Sequence, residues 1–321
     1  MVGGVAMFND GRRVVTGSWD KTLRIWNVQK GTLLGKPLQG HQGGVFSVAV
    51  SPDDMRMASG GQDRTIIIWD VESKQIVFEL VKHTGNVNCV CFSLDGKRLA
   101  SGSNSDGTAV IWDTKTGTVL TTLVVHWQGI GDAVLSVAFS PDGQQLASAT
   151  SHGFIQVYRT DNGELLLQFK AHESWVCGIV WSPDDHTLIS ASWDKTVKFW
   201  NSSTGRQIGQ PCTGHTELIC SLAITSDGSF IATASNDKTI RVWSTKTHQQ
   251  IGRPLEHPNK VTCVAMSTDG ALLASGRLDE KLCLWSIKNM LQRYHGQERF
   301  KEVDVEKQLV KVLIVRHRLF D

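Results

Sequence analysis

Apolar and polar residues alternate along most of this chain in short bursts, each closed by a turn signal. Val45-Phe-Ser-Val-Ala-Val50 is one such burst, and Ser140-Pro-Asp-Gly143 is one such turn. Alternation with a period of two, β-branched content and Pro, Gly or Asp punctuation predict strands throughout. No helix is predicted before residue 286. The clearest unit is Ser190-Ala-Ser-Trp-Asp-Lys-Thr-Val-Lys-Phe-Trp200, which reads as two strands joined by a turn at Trp193-Asp194-Lys195. Nearly the same words stand at Thr16–Trp26, and related versions end at Trp69, Trp112, Trp243 and Trp285, with a seventh at Tyr158.

These strand-end aromatics are spaced by 43, 43, 46, 42, 43 and 42 residues. That period belongs to propeller repeats with four short strands per unit. Each unit opens on a histidine: His41, His83, His126, His172, His215 or His257. An alternating strand, a Pro/Asp/Gly turn, a small-residue strand, a turn Asp and the aromatic-ending strand follow. A more variable fourth strand leads to the next histidine.

Gly40-His41, Gly214-His215, Trp69-Asp70 and Trp112-Asp113 resemble the signature dipeptides of the WD-repeat family of β-propellers. The resemblance covers roughly residues 1–286 in seven copies. It implies an all-β chain: a seven-bladed β-propeller of four-stranded antiparallel blades around a central channel. It implies little about function, because this fold hosts many unrelated tasks.

Two departures stand out. Blade four ends in Tyr158-Arg159, has His152 in place of the turn Asp, and carries three extra residues near Trp127–Asp132. Blade one starts late: its opening histidine would lie before Met1. The tail, residues 287–321, leaves the repeat pattern. It holds a charged stretch, Gln297–Gln308, and then an apolar run, Leu309–Val315. Unpaired, that run is an aggregation-prone edge. It is therefore expected to close the open edge of blade seven. The competing account is a chain cut from a longer protein.

His, Ser and Asp recur at fixed spacing, which invites a hydrolase reading. The family resemblance supplies another: Trp200 donates to Ser190, which bonds His172, which bonds Asp194. The equivalent sets are His41, Ser59, Asp63 and Trp69, and His215, Thr233, Asp237 and Trp243. Blades three (His83, Ser101, Asp106, Trp112) and seven (His257, Ser275, Asp279, Trp285) also look complete. Five near-identical triads do not make five active sites, and Thr233 in the Ser position suits a network better than a nucleophile. There is no GxSxG elbow, no phosphate loop and no HExxH pair. No catalytic residue, metal or cofactor is assigned.

A net charge of +2 gives no electrostatic case for nucleic acid. Seven cysteines form no CxxC pair, which suits a reducing compartment. No apolar run approaches a membrane span, and the first residues do not read as a signal peptide. The expected location is intracellular, cytoplasm and nucleus being indistinguishable.

In the resembled family, partners often bind the face bearing the turn between the second and third strands. Three positions per blade point there: the third and fifth after the opening histidine, and the residue before the turn Asp. Trp175 and Trp193 fall on these positions in blade five, with Leu135, Leu218, Phe46 and Trp19 on others. Aromatic anchors dominate interface energetics, so these six form the candidate face for a protein or peptide partner. The competing reading lays Trp193 and Trp19 over neighbouring turns and packs Trp175 into the channel mouth. A basic residue also follows the turn Asp at Lys21, Arg64, Lys195 and Lys238.

A Gly-x-Pro precedes the histidine three times: Gly35-Lys-Pro37, Gly209-Gln-Pro211 and Gly252-Arg-Pro254. These repeats look like the propeller modules of fungal proteins that pair a NACHT module with WD repeats, which implies a sensor role in a larger protein. An enzyme with a channel site is the remaining alternative. It requires carboxylates, histidines or reactive thiols converging on the first strands.

Overall fold

The computed structural model describes residues 1–127, 130–288, 290–291 and 309–314. Its strands form seven antiparallel blade sheets and one short two-stranded pairing; each blade sheet is ordered as the chain runs, except that Leu38–Gln39 of the first returns to pair with Thr22–Asn27. The first strands are Val2–Met7, Val45–Val50, Val87–Phe92, Val134–Phe139, Val176–Trp181, Ile219–Ile224 and Val261–Met266. Each contacts the next, and the last contacts the first, so they surround a central channel as a closed ring. The fold is a seven-bladed β-propeller.

Burial follows the alternation. The middle strands of each blade, such as Thr65–Asp70, are buried on both faces, because both flanks pack on neighbouring blades. The core is accordingly divided into inter-blade layers. Ile66, Ile68 and Ala58 of blade two pack on Val87, Leu99 and Trp112 of blade three. Val2, Val14 and Trp26 of blade one pack on Ala274, Leu282 and Leu284 of blade seven.

The fourth strand of the seventh sheet is Leu309–Ile314, antiparallel to Lys281–Ser286. Val315 and Gln297–Gln308 lie outside the described residues. In blade four, the extra residues include a short pairing of His126–Trp127 with Ile130–Gly131.

Two sequence patterns prove to be backbone devices. In the Gly-x-Pro segments, Gly35, Gly209 and Gly252 have φ of 87°, 65° and 68°. Only glycine takes this conformation cheaply. In blades five and six it falls where the outer strand shifts register against its neighbour. The residue after the turn Asp, or after His152 in blade four, is likewise left-handed in every blade: Lys21, Arg64, Gly107, Gly153, Lys195, Lys238 and Glu280. Gly and Glu at the same position show that the turn demands a conformation there, and not a positive charge.

Candidate functional site

The repeated polar network occupies the outer side of one face, called here the upper face. Trp200 Nε1 donates to Ser190 Oγ at 2.8 Å, and His172 Nε2 lies 2.8 Å from the same oxygen. His172 Nδ1 lies 2.7 Å from Asp194 Oδ2. Every donor is satisfied when the imidazole is neutral with its proton on Nδ1: Ser190 then accepts from Trp200 and donates to Nε2. Blade two repeats this, with His41 2.8 Å from Ser59, 2.9 Å from Asp63, and Trp69 2.9 Å from Ser59. Blade six repeats it with Thr233, 2.8 Å from His215 and 2.9 Å from Trp243, and Asp237 at 2.7 Å. Blade three forms the same links among His83, Ser101, Asp106 and Trp112.

Burial pushes His172 and His83 below the ordinary histidine range, against the pull of Asp194 and Asp106. Burial pushes the carboxyls of Asp63, Asp194 and Asp237 up. Hydrogen bonds from the histidine and from Thr65, Thr196 and Thr239 outweigh it and hold them well below the carboxylate range. In blades three and five the imidazole is thereby favoured as the neutral form beside its carboxylate, with the hydroxyl buried. Ser59, Ser101, Ser190 and Thr233 are fully buried, and the arrangement holds each of these four hairpins to its blade.

Blade seven corrects the sequence reading. Trp285 still donates to Ser275 at 3.2 Å, but His257 Nε2 has no partner. Asp279 is paired instead with Arg277. Arg277 stands where blades one, five and six have Ser18, Ser192 and Ser235, whose hydroxyls accept the N–H of the turn Asp. A guanidinium there is long enough to take the carboxylate away. Burial, with the Arg277 cation adding to it, lowers His257 to about 4. Arg277→Ser is therefore expected to complete the fifth network and raise stability by roughly 1–2 kcal/mol, read as a higher Tm by calorimetry. A lower Tm would mean that the Arg277–Asp279 pair outweighs the network it displaces.

Blade four solves the same problem differently. His152 Nδ1 pairs with the buried Asp132 at 2.7 Å, and Ser151 donates to Asp132 at 2.6 Å. One of the extra residues thus supplies the carboxylate. The Tyr158 hydroxyl donates to Gln156 at 2.8 Å, away from His152. The side chain of His126 lies outside the described residues.

The channel mouth on the upper face is a cavity of about 360 Å³. Its outline is set by a feature the sequence did not reveal. Every first strand shifts register against the second near its start, between Val45 and Ser47 in blade two and between Val176 and Gly178 in blade five. The skipped residue is Gly3, Phe46, Asn88, Leu135, Cys177, Cys220 or Thr262. A β-bulge re-aims its extra side chain, and all seven of these residues line the mouth. They are the fifth positions after the opening histidine. Of the other candidate positions, Trp175 and Trp193 also line it.

The polar bulge residues are mostly spent on structure. Asn88 donates to the carbonyl of Val134 at 3.1 Å, Cys177 to that of Ile219 at 2.8 Å and Thr262 to that of Val2 at 2.7 Å. Each carbonyl belongs to the first residue of the next inner strand, so these side chains tie blade to blade. Phe46 and Leu135 make no such tie. Trp175 and Trp193 stack at 4.1 Å between centroids, 16° from parallel, and Trp175 remains 41% exposed. Trp19 lies over Gly44 and meets Phe46 at 5.6 Å, yet is 52% exposed. Leu218 is half-buried and does not line the mouth. Leu278, on the equivalent position before the turn Asp of blade seven, is exposed and belongs with the candidate rim.

Among the described residues lining the channel there is no histidine or carboxylate; the titratable groups are thiols. Burial raises Cys177 well above the ordinary thiol range and Cys220 to about 11. They stay protonated at neutral pH, and the thiolate is the nucleophilic form. All seven cysteines are free. No helix among the described residues is long and apolar enough to cross a membrane.

Residues 2–210 match the family model described as the IFT122 first beta-propeller, and residues 206–244 and 249–286 match the WD domain, G-beta repeat. A guanine nucleotide-binding protein subunit beta of Arabidopsis thaliana is 32% identical over 212 residues, covering 62% of this chain and 56% of that protein. The small ribosomal subunit protein RACK1 of Candida albicans is 33% identical over 250 residues, covering 62% and 77%. Autophagy-related protein 16 of Arabidopsis thaliana is 26% identical over 209 residues, covering 64% and 40%. The chain spans about half the length of the first of the curated relatives it matches.

Proposed function

This chain belongs to the WD-repeat family of β-propellers, and on that premise we propose a non-catalytic scaffold that docks a protein or peptide partner on its upper face. The observation that carries the reading is the Trp175–Trp193 stack beside the channel mouth. Pre-stacked rings are already ordered, so a partner that covers them gains apolar burial at little entropic cost. Phe46 and Leu135 extend the apolar lining, and Trp19 continues it along the rim. Leu218 is assigned to the outer edge of the same face. Relatives named as a subunit and as a ribosomal subunit protein are, by those names, parts of assemblies, which supports a docking role. The raised thiols and the lack of acid–base groups along the described channel support a site that binds without chemistry.

The same reading takes residues 1–286 as the propeller and the tail as the source of its closing strand. The narrower reading, a sensor module of a NACHT-type protein, rests on the Gly-x-Pro segments. The left-handed glycines account for those without it.

The test is affinity capture from lysate, followed by titration of the recovered partner against wild type and a Trp175→Ala/Trp193→Ala variant. The expected result is an unchanged Tm to within a few degrees and at least a tenfold weaker Kd, since paired aromatic anchors each contribute 2 kcal/mol or more, on the order of hot-spot values. Equal binding by the two proteins would place the interface elsewhere.

A further inference from the structure

The opposite end of the channel opens into a larger cavity, of about 610 Å³. The last residue of every inner strand lines it, from Met7 round to Met266. Phe92, Phe139, Trp181 and Ile224 supply its bulkiest wall. Leu94 stands on the rim 68% exposed, where blades two, four and five have a turn proline. No titratable group other than Cys91 lines the cavity among the described residues. Large apolar side chains around an open hollow mark a site for an apolar anchor.

Aspartates cluster in four of the seven turns that follow the inner strands. The turns after the inner strands of blades four to seven read Ser140-Pro-Asp-Gly-Gln144, Ser182-Pro-Asp-Asp-His186, Thr225-Ser-Asp-Gly-Ser229 and Ser267-Thr-Asp-Gly-Ala271. They hold five aspartates and neither lysine nor arginine. Each first aspartate is held by its own turn, Asp142, Asp184 and Asp269 through one oxygen and Asp227 through both. Asp142 Oδ1 accepts from Ser140 at 2.6 Å and from the Gln144 N–H at 2.9 Å, and Asp269 Oδ1 accepts from Ser267 and the Ala271 N–H. The second oxygen of Asp142, Asp184 and Asp269 takes no hydrogen bond from the described residues. Hydrogen bonds within the turn keep Asp184 and Asp269 below the ordinary carboxylate range. Of the nearby cations, Arg98 is bound to Thr160 Oγ1 at 2.8 Å, Lys288 and His186 help to hold Asp269 and Asp184 ionised, and Lys246 lines a side pocket with Asp184 and Asp227.

We propose that this lower mouth is a second docking site, for a polypeptide segment that carries an apolar anchor flanked by lysine or arginine. The anchor fills the hollow beside Trp181 and Phe139. The flanking cations meet the outward oxygens of Asp142, Asp184 and Asp269, which are already oriented and so lose little freedom on pairing. An acidic arc beside a low-dielectric hollow also speeds the approach of a cationic segment, in a salt-dependent way. On the upper face a lysine or arginine follows the turn aspartate in four blades, at Lys21, Arg64, Lys195 and Lys238.

The test uses two fluorescent peptides with the same Leu-Leu-Phe centre, one flanked by lysines and one by glutamates, titrated by anisotropy against the full chain. The lysine peptide is expected to bind, at least tenfold more weakly in 0.5 M salt, and the glutamate peptide not at all. Asp142→Asn/Asp184→Asn/Asp269→Asn keeps each turn acceptor and is expected to weaken the lysine peptide at least tenfold with the Tm unchanged. Leu94→Ser, on an exposed position, gives a second variant with an expected loss. Trp175→Ala/Trp193→Ala is expected to leave this binding intact, which separates it from the upper-face reading. No binding of the lysine peptide, equal binding of both peptides, or loss only in the tryptophan variant would overturn the proposal.

Discussion

His172→Leu is expected to lower the unfolding free energy by about 2–4 kcal/mol, whereas His257→Leu costs under about 1 kcal/mol. The two histidines hold the same place in their repeats and are both buried. They differ in what depends on them. Removing His172 strips a partner from Ser190 and from Asp194, and a buried acceptor left without its donor costs the full desolvation of that group. Removing His257 strips nothing comparable: its Nε2 is already unpartnered, and it contributes mainly an edge contact to Trp285, 4.8 Å between centroids. Urea denaturation of both variants beside the parent measures the contrast, with unchanged m-values as the check that both unfold the same structure. Equal losses would show that the histidine acts by filling space. In an Arg277→Ser background, the His257→Leu cost is expected to rise toward that of His172→Leu, because the network it would break then exists.

Acidification from pH 7.5 to 3 is expected to destabilise the protein in two stages. In the first, His83, His172 and His257 are held below the ordinary histidine value of about 6.5 by burial. The unfolded chain binds these protons first, so stability is complete above that value and falls as pH drops below it. For His257, lowered to about 4, the loss amounts to roughly 3 kcal/mol once pH has fallen through that value. In the second stage, Asp63, Asp194 and Asp237 are held below the carboxylate range. Their contribution is present above about pH 4, the value of an unfolded aspartate, and is lost as pH falls further. Urea midpoints at half-unit intervals read both stages. A flat profile from pH 7 to 4.5 would refute the first, and His257→Leu is expected to flatten that part specifically.

The propeller was legible in the sequence for a simple reason. A blade cannot bury its faces alone, so each copy repeats the same alternation, turn aspartate and tryptophan, and the repeats reinforce one another. The polar network could be read in the same way, by treating recurrence as evidence of structure. Blade seven escaped that reading. His257, Ser275 and Asp279 have the right spacing, and what breaks the set is Arg277, a neighbour whose reach matters only in three dimensions. The lower mouth left a signal that went unused: the residue ending each inner strand, just before its turn, is apolar in all seven copies.

The sequence by itself determined the number of blades, the order of the strands and which side chains hold the hairpins of blades two, three, five and six, because these depend on local pattern repeated at a fixed period. Only the tertiary structure decided which side chains meet in the channel. Seven bulges turn one residue per blade toward a common axis, and their carbonyl ties to the next blade use up Asn88, Cys177 and Thr262 while leaving Phe46 and Leu135 untied. Residues about 43 positions apart become neighbours there, and no local pattern encodes how a closed ring brings them together.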